Sequence, residues 1–315
     1  MKKPLIVIAG PTASGKTKVS IELAKRINGE IISGDSMQVY KYMNIGTAKP
    51  TREEMEGIPH YLIDEIDPKE EFSVAIFKQK AKDYIKKIYD KNKIPILIGG
   101  TGFYIQSVVY DIDFTETNID IEYRNSLQQL AKKNGNQYLH NMLFKVDPVS
   151  AKAIHPNNVK RVIRALEYYK QTNKPISEHN KEQKNKNSPY NTLFFCLTMN
   201  RKTLYKRINK RVDSMIEAGL VEEVENLLDR GYSPKLISMQ GLGYKEIVWY
   251  LEGKISLEEA IYIIKRDTRH FAKRQLTWFR RQETPYWINV EDMEFDVEKI
   301  VINMMKCIED FGIII

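Results

Sequence analysis

Residues Gly10-Pro11-Thr12-Ala13-Ser14-Gly15-Lys16-Thr17 occupy every fixed position of the pattern G-x-x-x-x-G-K-[ST], in which a glycine-rich turn cradles phosphate. The apolar run 5–9 just before it predicts a buried strand. Residues 17–27 place Val19, Leu23, Ala24 and Ile27 on one face of a helix. Strand, loop and helix in this order define a phosphate site. The glycines let the backbone turn and aim its N–H groups inward, and the helix N-terminus adds partial positive charge. Lys16 adds a full one, and the Thr17 hydroxyl can ligate Mg²⁺. The loop alone does not say which phosphate it holds.

The next strand, 30–33, ends at Gly34-Asp35-Ser36-Met37-Gln38-Val39-Tyr40. A strand–helix–strand unit implies a right-handed crossover and a parallel sheet, whose ligands collect at the carboxyl ends of the strands. Asp35 falls there, where a carboxylate can act as a general base, hold a metal through water, or cap the next turn. Further on, four mostly apolar residues followed by Asp64-Glu65 resemble the acidic motif with which ATP-hydrolysing proteins of this type hold Mg²⁺, although Asp67-Pro68 follows at once. After a helix at 73–89, the strand 94–98 exits through Gly99-Gly100-Thr101-Gly102 with no acidic residue. Such an exit allows close backbone approach to a ligand and offers one hydroxyl to an anion.

From about residue 114 strand signal vanishes. Helices are expected at 119–133, 136–143, 148–154 and 158–171, then a mobile polar linker over 178–187, before an apolar β-rich run at 192–198. The expected fold is α/β, a parallel sheet flanked by helices and split by an all-helical insertion: core 1–113, insertion 114–190, core completion 191–315. The net charge of +8 and pI near 9.1 point to an anionic partner. Arg124, Lys160, Arg161 and Arg164 lie on the insertion helices. A helix over 261–281 would carry Arg266, Arg269, His270, Lys273, Thr277 and Arg280 on one side and Ile264, Phe271 and Trp278 on the other. Arg207 and Arg211, four apart, can face one anion. Two distant cysteines indicate neither a zinc site nor a disulfide framework, and a reducing cytoplasm fits. No apolar run approaches the ~18 residues of a membrane span.

The phosphate loop, Asp35 to Tyr40, Ile45-Gly46-Thr47-Ala48-Lys49-Pro50, Gly99-Gly100-Thr101-Gly102-Phe103-Tyr104, His155-Pro156-Asn157, Gly241-Leu242-Gly243-Tyr244 and Ala272-Lys273-Arg274-Gln275 follow one another in an order that closely resembles the tRNA dimethylallyltransferases. The likeness spans nearly the whole chain. It implies a P-loop NTPase-like core and transfer of a dimethylallyl group from dimethylallyl diphosphate to the exocyclic amine of the adenine just 3′ of the anticodon, with Mg²⁺ as cofactor and diphosphate as product.

By that resemblance Gly10, Pro11, Thr12, Ala13, Ser14, Gly15, Lys16 and Thr17 would hold the diphosphate, with Thr17 on the metal and Arg207 a further contact. Asp35 would take the amine proton, and Thr101 and Arg211 would meet the diphosphate or the reacting centre. Contacts to the tRNA anticodon stem and loop would come from Asp35, Ser36, Met37, Gln38, Thr101, Arg124, Lys160, Arg161 and Arg164, from Gln240, Gly241, Leu242, Gly243, Tyr244 and Lys245, and from Arg269, Lys273 and Arg280. Asp64 would be a structural residue at a strand end. Gly34, where a small or apolar side chain is expected, would loosen the turn before Asp35. The chain resembles bacterial members, which lack the zinc finger of eukaryotic relatives, and a cytoplasmic monomer with no membrane association is expected. An ATP-dependent small-molecule kinase or NTPase, a prenyltransferase of free adenine nucleotides, and a non-catalytic RNA-binding protein are the competing readings.

Overall fold

The computed structural model describes residues 2–114, 120–184, 186–282 and 285–313. The chain begins with β1 (Pro4–Ala9), α1 (Lys16–Arg26), β2 (Gly29–Ser33), α2 (Arg52–Met55), β3 (His60–Tyr61), α3 (Val74–Asp90), β4 (Ile94–Gly99) and α4 (Gly102–Val109). A second group follows: α5 (Ile121–Asn134), α6 (Asn136–Val146), α7 (Pro148–Ala153), α8 (Val159–Thr172) and α9 (Ile176–Lys184). The sheet then resumes with β5 (Asn191–Thr198), α10 (Arg201–Glu217), α11 (Leu220–Asp229), a 3₁₀ turn at Ser238–Gln240, α12 (Tyr244–Leu251), α13 (Leu257–Phe279), β6 (Tyr286–Asn289) and α14 (Val297–Asp310). By packing density the chain forms two compact units, Met1–Val109 with Ser188–Ile315, and Tyr110–Asn187.

In the first unit six strands form one sheet in the order β3-β2-β4-β1-β5-β6, each neighbouring pair parallel. Unbroken apolar runs such as Leu5-Ile6-Val7-Ile8 suit a strand covered on both faces, and all four side chains are fully buried. Ile6 and Ile8 pack with Ile96, Leu193 and Phe195 against Leu23 of α1 and Met304 and Ile308 of α14. Because β1 connects toward β2 on one side and β5 toward β6 on the other, the chain's connections diverge beside the carboxyl end of β1, where the phosphate loop begins.

The second unit is all helix, with Leu127, Leu139, Leu143, Val162 and Leu166 in its core. Among the described residues no buried side-chain polar atom of this unit lacks a hydrogen-bond partner. Asp147 caps α7 by accepting from Ser150 N–H at 2.9 Å, and it accepts from Ser177 Oγ at 2.7 Å. Glu167, wholly buried, accepts a two-pronged contact from Arg124 (2.8 and 2.8 Å) and one from Arg164 Nη1 at 3.0 Å.

Several expectations change. The polar run expected as a mobile linker over 178–187 is helical from 178 to 184, in α9, with 185 outside the described residues; α9 is tied down where Gln183 accepts from Asp113 N–H at 2.8 Å and His179 meets the Asp113 carbonyl at 3.0 Å. The expected start of α5 at residue 119 lies outside the described residues. β3 is only two residues long and sits at the sheet edge, separated from β1 by β2 and β4. Asp64 after it is exposed and paired with Lys49 at 2.8 Å, so its carboxylate already has a partner. The basic helix α13 buries Ala260, Ile264, Ala272, Gln275 and Phe279, leaving Phe271 and Trp278 only half-buried, and Arg280 lies just past its last turn. Among the described residues no helix is long and apolar enough to cross a membrane.

Candidate active site

The loop between β1 and α1 is shaped by conformations that glycine permits. Gly10 has φ +148°, and a Cβ there would stand 2.7 Å from the Leu197 carbonyl of β5. Gly15, at φ +94°, precedes α1 without a side-chain cap, so the first-turn N–H groups have no partner inside the helix. Several other polar groups of the loop are engaged. Ser14 N–H donates to the Pro11 carbonyl at 3.3 Å, and Lys16 Nζ donates to the same carbonyl at 2.8 Å. Arg207 Nε donates to the Ala13 carbonyl at 2.9 Å, and Thr12 N–H donates to Gln275 Oε1 at 3.0 Å. Burial pulls the Lys16 ammonium down to about 8; Arg211 adds to the fall, and Asp35 and Cys196 oppose it. Burial likewise lowers the Arg211 guanidinium, against the pull of Asp35.

Asp35 follows β2 at a pinch between strand ends. Gly34 N–H donates to the Ile98 carbonyl at 2.6 Å, and a Cβ on Gly99 would lie 2.7 Å from the Gly34 carbonyl oxygen. It is Gly99 that lets the two backbones touch; a Cβ on Gly34 would stand 3.3 Å from the Ile98 carbonyl. Asp35 Oδ1 accepts from Met37 N–H at 2.8 Å and Gln38 N–H at 3.3 Å, so the residue does cap the turn. Its other oxygen accepts no hydrogen bond among the described residues, so capping leaves half the carboxylate available for chemistry. Gln38 accepts from Ser33 Oγ at 3.0 Å and donates to the carbonyls of Thr47 and Ala48 at 3.3 and 3.2 Å.

The loop carrying those carbonyls is fixed from the other side by Glu223. Its carboxylate accepts from Asn44 and Ile45 N–H at 2.8 Å each, Gly46 N–H at 3.1 Å and Tyr244 Oη at 2.7 Å. Tyr244 is buried with its ring against Gly46, where a Cβ would meet Cε2 at 2.5 Å.

These elements enclose a cavity of about 400 Å³, lined by Thr12, Lys16 and Thr17 from the loop, by Asp35, Ser36, Met37 and Gln38, and by Thr101 and Arg211. Gly241, Leu242, Gly243, Tyr244 and Lys245 complete one wall. A second cavity of about 1030 Å³ is lined by Ala13, Ser14, Gly15, Arg207 and Lys210, and it shares Lys16, Thr17 and Arg211 with the first. The loop is thus open on two flanks. The Thr17 hydroxyl borders both and makes no hydrogen bond among the described residues, which suits a divalent metal held by one protein oxygen and phosphate oxygens. No cluster of three or more His, Cys, Asp or Glu that could hold a metal occurs among the described residues.

Other expected contacts lie elsewhere. Gln240 is exposed and donates to the Pro234 carbonyl at 2.7 Å, away from the cavity wall. Arg269 donates to Asn209 Oδ1 at 2.7 Å. Lys273 and Arg280 are exposed, and Lys273 borders a shallow depression of about 390 Å³ with His270, Arg274 and Trp278. Lys160 and Arg161 are exposed on α8, whereas Arg124 and Arg164 turn to buried Glu167. Sequence reading missed Gln275 and Glu223 as site-building residues. For Gln275 a signal existed: an amide on the apolar side of an amphipathic helix.

A parallel sheet with a phosphate loop, a half-free carboxylate and a threonine gathered at its carboxyl edge defines a P-loop α/β enzyme that acts on a phosphorylated substrate. Residues 38–282 match the model of the IPP transferase family, and the chain belongs to that family. It is 57% identical over 312 residues, 99% of each chain, to a tRNA dimethylallyltransferase of Lachnoclostridium phytofermentans. It is 58% identical over 309 residues, 98% of each, to that of Acetivibrio thermocellus. Among solved structures it is similar to a tRNA isopentenylpyrophosphate transferase of Staphylococcus epidermidis, with 48% identity, 98% and 99% of the two chains covered and a TM-score of 0.73. A eukaryotic dimethylallyltransferase acting on tRNA matches with 36% identity over 88% of this chain and 69% of that one, at a TM-score of 0.75.

Proposed function

We propose that this protein transfers the dimethylallyl group of dimethylallyl diphosphate to the exocyclic amine of the adenine adjacent to the anticodon in tRNA. The observation that carries the reading is the single cavity in which the free edge of Asp35 and Thr101 meet Lys16, Thr17 and Arg211. An adenine amine is a weak nucleophile because its lone pair is delocalised into the ring, so positioning and charge stabilisation must supply much of the rate. The base leaves its stack to enter the cavity, past Ser36, Met37, Gln38 and the wall from Gly241 to Lys245. Asp35, braced through Oδ1, accepts a hydrogen bond and then a proton from the amine. The amine nitrogen forms a bond to the allylic carbon as the carbon–oxygen bond breaks, and the electron pair leaves with diphosphate. Lys16, Arg211 and the first-turn N–H groups of α1 hold the growing negative charge, with Arg207 at the rim and Thr101 beside the reacting centre. Mg²⁺ on Thr17 would neutralise diphosphate charge.

Lys160, Arg161, Arg269, Lys273 and Arg280 serve as phosphate contacts for the anticodon arm. Tyr244, Arg124 and Arg164 serve as structural supports, since their polar groups are already engaged. We place the enzyme in the cytoplasm, with its tRNA substrate, acting as a monomer. Incubation with Mg²⁺, labelled dimethylallyl diphosphate and unmodified tRNA is expected to label the tRNA and release diphosphate. ATP turnover without labelled tRNA would instead support a kinase or NTPase.

A further inference from the structure

Gln275 sits on α13 among apolar neighbours, 6% exposed, in a row with Ala272 and Phe279. A hydrophobic side chain would fill that position at lower cost, because a buried amide is unfavourable unless both its ends are bonded. Both are. Oε1 accepts from Thr12 N–H of the phosphate loop at 3.0 Å, and Nε2 donates to the Gly100 carbonyl, just after β4, at 3.0 Å. The two partners have opposite polarity, so a neutral amide satisfies them where a carboxylate or a hydrocarbon cannot. Gly100 leaves the room for this bridge: a Cβ there would overlap Nε2. One turn further along α13, Trp278 occupies the space over Gly102 in the same way.

We propose that Gln275 is a positioning residue that holds the phosphate loop and the Thr101 loop at a fixed separation, so that the departing diphosphate and the reacting amine meet in register. This rests on the reaction proposed above. The bridge also removes Thr12 N–H from the groups that can hold the diphosphate, leaving that task to the helix N-terminus, Lys16 and Arg211. Because α13 carries Lys273 and Arg274 on its outer side, the helix offered to tRNA phosphates is also the one that braces the donor loop.

The test compares wild type, Gln275→Leu and Gln275→Glu in the labelled-donor assay, at matched folded fraction by circular dichroism. Gln275→Leu is expected to lower kcat about 10- to 100-fold, the scale of a misplaced reacting pair, with KM for tRNA changed by less than about 3-fold. Gln275→Glu separates positioning from packing, because only its protonated form can both accept from Thr12 and donate to Gly100. Its kcat relative to wild type is therefore expected to rise as pH falls from about 8.5 to 6, since burial raises a carboxyl pKa, while the Gln275→Leu ratio stays flat. Wild-type kcat in a folded Gln275→Leu variant, or equal and pH-independent ratios for both variants, would overturn the assignment. A wild-type protein that labels no tRNA would overturn the proposed reaction itself, and this role with it.

Discussion

At the scale of single residues, the site depends on charges placed where burial makes them sensitive. Asp35→Ala removes the proton acceptor and the turn cap together, whereas Asp35→Asn keeps an acceptor for Met37 and Gln38 N–H and loses only the base. Transfer is expected to fall by about 10²- to 10⁴-fold in Asp35→Asn, with tRNA affinity changed less than about 2-fold in a filter-binding assay. Lys16, lowered to about 8, is charged below that value and loses its charge above it. Affinity for inorganic diphosphate is therefore expected to weaken as pH rises from about 7 to 9, and Lys16→Gln should flatten that limb of the calorimetric profile. These residues were legible in the sequence because each lies in a short motif next to a strand end. The partners of Gln275 and Glu223 were not: the amide on an apolar helix face marks Gln275, but it meets Thr12 across 263 positions, and Glu223 meets Asn44 across 179. No local pattern records such pairings.

At the scale of elements, glycines set how closely pieces approach. Gly102→Ala would drive a methyl into the Trp278 ring and is expected to cost about 1–3 kcal/mol, read as a lower midpoint in urea. Adding Trp278→Leu should recover part of that loss, a coupling that two independent sites would not show. Glu223→Ala would free Asn44, Ile45 and Gly46 N–H groups and the Tyr244 hydroxyl at once, loosening the wall that Gln38 braces from the other side. A higher KM for tRNA and faster amide exchange over residues 44–48 are expected. β1, β2 and β4 were readable because each is a short, mostly apolar buried run that meets a glycine at its end, and β5 by its apolar run alone, whereas the short, half-exposed β6 left no such pattern. The polar helix α9 was not, since its order comes from contacts to Asp113 and Asp147 rather than from an apolar face.

At the scale of the whole molecule, the cations proposed to meet tRNA differ from those that brace the fold. Replacing Lys160 and Arg161, or Lys273 and Arg280, by Ala is expected to make the salt dependence of tRNA binding shallower by roughly one unit per lost phosphate contact. Arg124→Ala should instead destabilise the helical unit by about 3 kcal/mol, because it strips a two-pronged partner from buried Glu167. Helical periodicity showed where these cations lay but not which already had a carboxylate to hold, and the acceptor is 43 positions from Arg124. The pairing of β1 with β5 bears on how the protein comes into being at the ribosome. Pro4 lies beside Asn191, so the first strand to emerge lacks one neighbour until the whole of Tyr110–Asn187 has been synthesised. The helical unit, built from near-sequence contacts, is suited to fold first, while the start of the core waits for its missing strand. A nascent chain released before about residue 198 would therefore carry an intact phosphate motif on an unfinished sheet.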